Sequence, residues 1–285
     1  MSVKDDRNIQ NIAAREGFEI NEVTSLAGGS INEVFLLNTS EGKKVVKINS
    51  LSAFPGMFSA EKAGLEVLKK SGSIDVPEVF GLGQIDDTAY LILEYKKEAP
   101  QKSHFWDLFG QELAGLHKNS SEKFGFEDDN YIGSLPQYNG RETSAADFYI
   151  RQRLEPQLRM ASKNGFSFGH LDRIFKNISE AIPGEPPALI HGDLWGGNYI
   201  TNEEGLPCLI DPAVSFGPRE MDLAMMKLFG GFPEKVFSAY DENFPLQQGF
   251  EDRVPLWQLY YLLVHLNIFG SSYLGGVKRI LKSFS

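Results

Sequence analysis

The stretch His191-Gly192-Asp193-Leu194-Trp195-Gly196-Gly197-Asn198 follows an apolar run, Ala188-Leu189-Ile190, and precedes Tyr199-Ile200. A short strand feeding a polar, glycine-bearing loop reads as a catalytic loop. A second apolar run, Cys208-Leu209-Ile210, ends in Asp211-Pro212-Ala213, so another short strand delivers a second acid beside the first loop. Asn198 and Asp211 offer one neutral and one charged oxygen ligand, the donor type that a hard cation such as Mg²⁺ takes. Turns and caps are the ordinary work of loop Asp and Asn residues, and that reading stays open for either acid taken singly.

An Asp, an Asn five positions later and a further Asp after the next strand form the spacing of kinase-type phosphotransferases. Phosphoryl transfer needs an in-line nucleophile and neutralised phosphate oxygens, so positioning and metal ions do most of the work. In such a site Asp193 orients the acceptor and takes its hydroxyl proton, while Asn198 and Asp211 hold Mg²⁺.

Taken with Ile210-Asp211-Pro212-Ala213, Glu220-Met221-Asp222-Leu223-Ala224 and Phe229-Gly230-Gly231-Phe232, the loop resembles the fructosamine kinase (ketosamine-3-kinase) family. The resemblance runs through nearly the whole chain. His-Gly-Asp with a downstream Asn is shared with aminoglycoside phosphotransferases and choline kinases. Trp195-Gly196-Gly197, the Asp-Pro-Ala run and the Phe-Gly-Gly-Phe run are more selective. The resemblance implies an α+β, two-lobed, protein-kinase-like fold, with a β-rich N-lobe over 1–95, a mainly helical C-lobe over 96–285, and ATP between them. It also implies phosphorylation of the 3-hydroxyl of a ketosamine, either a small molecule or a glycated protein lysine, in glycation repair.

Upstream of the loop, three β-like pieces are expected around Ile20 to Leu26, Glu33 to Leu37 and Lys44 to Ile48. A short amphipathic helix precedes them, with Ile9, Ile12 and Ala13 at helical spacing. Gly28, Gly29 and Ser30 join the first two strands, where glycines let a backbone approach a phosphate. A plain hairpin turn uses the same residues. Strand alternation sets Lys47 opposite Val46 and Ile48, and it resembles the lysine that pairs with nucleotide phosphates. A solvent-facing edge lysine is the other reading. Within the helix expected over Pro55 to Lys70, Glu61, Leu65 and Leu68 share one face. A carboxylate on an apolar face needs a cation, and Lys47 is the natural candidate; an exposed first-turn acid is the alternative. The strand Ala89 to Leu93 leads to Glu94, Tyr95 and Lys96, which the resemblance makes the adenine-binding hinge.

The second half reads as mostly helical. Phe105 to Leu116 keep helical spacing, and His117 is a helix-end or core histidine, because no ligand set stands at metal spacing around it. Gly125 to Arg141 is a long loop, of the kind that often carries function, and it is a candidate for the acceptor side. Ala145 to Ala161 reads as a helix kinked by Pro156, with Arg151, Arg153 and Arg159 on a solvated face. Asp222 reads as a first-turn acid favouring the helix dipole; in related enzymes that acid braces the catalytic loop. Leu259 to Phe269 forms a helix that includes His265, for which the resemblance leaves a place near the acceptor. Trp195 could offer a flat surface to a sugar, or simply pack.

The chain has 28 Lys and Arg against 38 Asp and Glu, a net charge of −10. That balance argues against nucleic acid or an anionic membrane as the main partner, and it leaves room for a local positive site that holds a nucleotide. The single cysteine, Cys208, sits in an apolar run and reads as a buried small hydrophobe. A charged N-terminus and the lack of a long apolar segment point to a cytoplasmic protein. Two further readings remain: a kinase of another small alcohol of the aminoglycoside or choline type, and a catalytically silent nucleotide-binding protein. The silent reading is disfavoured because Lys47, Glu61, Asp193, Asn198 and Asp211 are all present.

Overall fold

The structure, a computed structural model, describes residues 3–26 and 31–285. Gly28, Gly29 and Ser30 lie outside the described residues. The first part of the chain is a helix, α1 (Val3–Glu16), three strands, β1 (Ile20–Leu26), β2 (Glu33–Thr39) and β3 (Gly42–Ser50), a second helix, α2 (Met57–Ser71), and two more strands, β4 (Val79–Ile85) and β5 (Thr88–Glu94). The strands form one antiparallel sheet in the order β1-β2-β3-β5-β4.

Alternation along the central strands divides the sheet into two faces. Val46 pairs with Phe35 and Ile92, and these residues with Leu37, Ile48 and Tyr90 pack on Ile9, Ile12 and Ala13 of α1. The opposite face carries Val45, Lys47, Leu91 and Leu93 towards α2 and the rest of the molecule. The i, i+3, i+4 apolar spacing of α1 and the two-residue period of β3 thus meet in one small core. Gly72 ends α2 in the left-handed conformation (φ 64°) and donates its N–H to the Lys69 carbonyl, a helix stop that glycine makes without steric penalty.

After β5 the chain is mainly helical: α3 (Phe105–His117), the hairpin β6 (Asn130–Ile132) and β7 (Leu135–Gln137), α4 (Ala145–Asp147), α5 (Glu155–Lys163) and α6 (Asp172–Ala181). Four short strands follow, β8 (Ala188–Ile190), β9 (Tyr199–Thr201), β10 (Pro207–Leu209) and β11 (Ser215–Gly217), paired β8 with β11 and β9 with β10. Helices α7 (Glu220–Phe229), α8 (Glu234–Asn243), α9 (Phe250–Phe269) and α10 (Leu274–Ser283) complete the chain. The architecture is α+β, a sheet-rich first part and a helical second part, as the sequence implies. Among the described residues no helix is long and apolar enough to cross a membrane.

The helix expected over Ala145 to Ala161 is a succession of α4, a π-helical turn over Phe148–Leu154, and α5, with Pro156 in the first turn of α5 rather than at a mid-helix kink. Proline is accepted there because an N–H in the first turn has no helical partner to lose. Arg153 is not on a solvated face with Arg151 and Arg159 but is 1% exposed. Its guanidinium donates to the carbonyl of Tyr138, to Asn139 Oδ1 and to Ser215 Oγ, and lies 4.4 Å from the centre of the Phe148 ring. Residues two apart on a helix do not share a face, so Arg151 outside places Arg153 inside.

Candidate active site

Strand β8 ends at Ile190, and the loop that follows is held by its own backbone. The Asp222 carboxylate, fully buried on α7, accepts from His191 N at 2.7 Å and from Gly192 N at 2.8 Å. His117 Nε2 lies 3.2 Å from the same carboxylate, and His117 Nδ1 lies 2.8 Å from the Tyr240 hydroxyl. Asp222 therefore braces the loop, and its place in a first turn is secondary. His117 is the core histidine that its surroundings in the sequence imply.

Gly192 has φ +84°, and a methyl there would stand 2.1 Å from the Ala213 carbonyl oxygen, so only glycine fits. The Ala213 N–H donates to the His191 carbonyl, and the Tyr261 hydroxyl of α9 donates to the Gly192 carbonyl at 3.1 Å. His191 is fully buried, and burial lowers its pKa; its Nε2 donates to the Ile210 carbonyl at 2.9 Å. The two acid-bearing loops are thus one hydrogen-bonded unit.

Asn198 Nδ2 donates to the Asp193 carbonyl at 2.8 Å and to Asp193 Oδ2 at 3.1 Å. That leaves Asn198 Oδ1 with no donor among the described residues. Burial, reinforced by the charge of Asp211, pushes the Asp193 carboxyl up to about 7. Asp211 takes a left-handed backbone (φ 56°), uncommon for a residue with a side chain and a frequent mark of a functional position.

On the sheet side, Lys47 is 5% exposed and its ammonium meets Glu61 Oε1 at 2.6 Å and Asp211 Oδ1. Burial alone would lower the lysine's pKa, but the two carboxylates outweigh it and hold the ammonium charged. The helix that carries Glu61 comes close because Gly64, one turn on, packs on Pro212 and Val214; a methyl there would stand 3.2 Å from Val214 Cγ2. Lys47, Glu61, Asp193, Trp195, Asn198, Asp211 and His265 all line one cleft of about 630 Å³. Asn130 to Gly133 of the long loop also line it, so that stretch does face the cleft, although it folds as the β6–β7 hairpin.

Glu94 and Lys96 are placed elsewhere. Their side chains pair with each other at 3.0 Å, Lys96 also reaches Asp75 at 3.1 Å, and both line a separate hollow with Glu112. The Tyr95 ring lies 5.4 Å beneath the Lys43 ammonium. Sequence reasoning did not single out Gln137, whose amide donates to Asn130 Oδ1 at 2.8 Å and to the Ala213 carbonyl at 3.0 Å. Nor did it single out Tyr261. Both support the loops from elements remote in the chain, and no local pattern marks them.

A sheet-rich part joined to a helical part, with an Asp-Asn loop and a second acid facing a lysine–glutamate pair, defines a kinase-like phosphotransferase fold. The same fold is found in an aminoglycoside phosphotransferase, solved as a ternary complex with AMP-PNP and hygromycin B, at a TM-score of 0.64 and 16% identity over 96% of this chain and 97% of that one. Residues 3–284 match the fructosamine kinase family model, and the chain belongs to that family. It is 38% identical to a probable ketoamine kinase of Enterococcus faecium over 92% of this chain and 95% of that protein. It is 37% identical to a probable ketoamine kinase of Synechocystis over 93% and 90%. A crystal structure from Haemophilus somnus, assigned as a fructosamine-3-kinase, superposes with a TM-score of 0.87 at 31% identity, covering 96% of this chain and 95% of that one. The chain is therefore a kinase, a phosphotransferase of the fructosamine kinase family.

Proposed function

We propose that the enzyme transfers the γ-phosphoryl group of ATP to the 3-hydroxyl of a ketosamine, carried by a small amine or by a glycated protein lysine, and so serves glycation repair. The observation that carries this reading is the convergence of Asp193, Asn198, Asp211, Lys47 and Glu61 on a single cleft in a chain of this family. A cytoplasmic setting, where nucleoside triphosphate is supplied, belongs to the same reading.

The donor set suits Mg²⁺. Asn198 Oδ1 and the Asp211 carboxylate are oxygen ligands, and among the described residues no group of three or more His, Cys, Asp or Glu side chains forms a metal cage. A cation held by few protein oxygens and otherwise by phosphate oxygens is the usual arrangement for Mg²⁺ in phosphoryl transfer. Bound there, Mg²⁺ would neutralise charge on the phosphates, and ATP would supply the phosphoryl group.

Lys47 holds phosphate oxygens, and Glu61 fixes its reach from α2. Asp193 orients the acceptor and takes the proton of the 3-hydroxyl as that oxygen bonds to phosphorus and the bond to the departing ADP oxygen breaks. Trp195, 42% exposed in the cleft, offers its face to the sugar, and His265 lies on the acceptor side. Gly28, Gly29 and Ser30 belong to this reading as the phosphate-binding residues that the sequence offers, and the backbone of Glu94, Tyr95 and Lys96 as the partner of the adenine edge, with the lobe boundary at Tyr95.

ADP release with Mg²⁺-ATP is the test, across fructosamine, ribulosamine, aminoglycoside and choline acceptors. Turnover confined to the ketosamines, with ³¹P NMR placing phosphate on the 3-oxygen, supports the proposal. Turnover only with another alcohol, or ATP binding with no turnover, overturns it.

A further inference from the structure

One wall of the cleft is built from His265 and three further rings, Phe229, Phe269 and Tyr273, to which the reading above gives no role. The His265 ring lies tilted against three others, 4.6 Å from Phe229, 5.4 Å from Phe269 and 5.1 Å from Tyr273, measured between ring centres. The four come from the C-terminal ends of α7 and α9 and from the turn after α9, and all line the cleft. Phe229 is 41% exposed and Phe269 is 55% exposed, large apolar surfaces left open beside a polar site. A contiguous exposed patch of this kind marks a binding surface more often than an accident of packing.

His265 gives the wall a polar point. Its Nδ1 donates to the Tyr261 carbonyl at 2.8 Å, which leaves Nε2 as a lone pair with no partner among the described residues. Burial lowers the pKa of this ring, so the neutral form is favoured. Tyr261, one helical turn earlier, touches the catalytic loop through Gly192. One turn of α9 therefore carries the wall about 6 Å along from that loop, roughly the span of a sugar.

Among the described residues the carboxylates that line the cleft are Glu61, Asp193 and Asp211, all grouped at the catalytic loop and Lys47. Glu61 and Asp211 pair with Lys47, and Asp193 accepts from Asn198. The wall thus has ring faces and one lone pair with which to meet a cation and, among the described residues that line the cleft, no carboxylate of its own to meet several.

We propose that the wall of Phe229, His265, Phe269 and Tyr273 is the subsite for the amine end of the acceptor, selecting a single ammonium that bears an apolar or aromatic substituent over a polycationic one. The inference rests on the ketosamine reading. The ring faces attract the ammonium electrostatically, its N–H donates to His265 Nε2, and the substituent covers Phe269. Additional ammonium groups would lose water with no counter-charge to replace it.

The test compares two fructose adducts, one of benzylamine and one of spermidine, by kcat/KM. The benzylamine adduct is expected to be favoured at least tenfold. Phe229→Ala combined with Phe269→Ala should reduce that preference about tenfold, the contribution of two rings to a cation, with the loss in KM rather than kcat. Phe269→Tyr keeps the ring face and should retain the preference. Both phenylalanines are exposed, so an unchanged Tm will confirm that the fold is intact. Equal kcat/KM for the two adducts, or a preference untouched by the double substitution, overturns the subsite and leaves the ketosamine reading standing. Turnover of neither adduct overturns the ketosamine reading itself, and the subsite with it.

Discussion

Gly196 and Gly231 meet backbone to backbone: a methyl on Gly231 would stand 3.2 Å from Gly196 Cα. The Trp195-Gly196-Gly197 and Phe229-Gly230-Gly231-Phe232 runs, separate in sequence, are thus the two sides of one contact beside the catalytic loop. Gly231 also has φ +91°, so Gly231→Ala combines strain with crowding. It should cost about 1–3 kcal/mol of stability and lower turnover by displacing the loop. Urea unfolding together with kcat would show this, and parental values of both would show that the contact tolerates a side chain.

Asp193→Ala is expected to cut turnover by a factor on the order of 10² to 10⁴, the usual contribution of a general base. Nucleotide affinity should be largely kept, because Lys47 and Asp211 are untouched. Calorimetric titration with an ATP analogue beside a turnover assay separates the two effects, and activity within a few-fold of the parent would remove Asp193 from the chemistry.

Lys47→Met should weaken nucleotide use instead. It also strips the buried Glu61 of its cation, and breaking a buried pair by removing one partner costs roughly 3–5 kcal/mol. An unchanged dependence of rate on ATP concentration would place Lys47 outside the site.

Asp222→Ala removes the acceptor of two loop amides and the partner of His117. Each buried donor left unmet costs about 1–3 kcal/mol, so a clear drop in Tm is expected, accompanied by loss of kcat. Full activity in a destabilised variant would mean that the loop holds its shape without the brace.

The fold and the centre of the site are legible because their signals are local. The strand-loop-strand pattern around Asp193 and Asp211 is written within about two dozen consecutive residues, and the Lys47–Glu61 pair follows from strand alternation and a helical face. The supports are not local. Gln137 reaches Ala213 across 76 positions and Tyr261 reaches Gly192 across 69, distances over which periodicity says nothing. Arg153 differs in kind: a face shared by Arg151, Arg153 and Arg159 ignores a two-residue spacing that already separates one of them. Glu94 and Lys96 look like a charged strand end in the sequence, and their network depends on Asp75, which nothing nearby in the chain announces.

That network predicts a pH effect. Burial, with help from the charge of Asp75, pushes the Glu112 carboxyl up from its ordinary 4.5 to about 7. A carboxyl whose pKa is raised on folding binds more protons in the folded state between those values, so its favourable contribution is complete at the acid end and is lost as pH rises through about 7. Glu112→Gln should therefore gain stability relative to the parent on going from pH 5 to pH 8, by on the order of 1 kcal/mol after solvent screening. Denaturation midpoints at the two pH values would show it, and a constant difference between the proteins would contradict it.

Cys208 is the only sulfhydryl of the chain, and it is enclosed in β10 with no exposed surface, where burial drives its thiol far from ionisation. Alkylating reagents and mild oxidants should leave the native enzyme untouched. Two cysteines introduced on the surface would then be the only reactive handles, so a pair of dyes or spin labels could be attached at chosen places on the sheet and on the helices. The distance between them could be followed as nucleotide enters, without first stripping the protein of its own thiol.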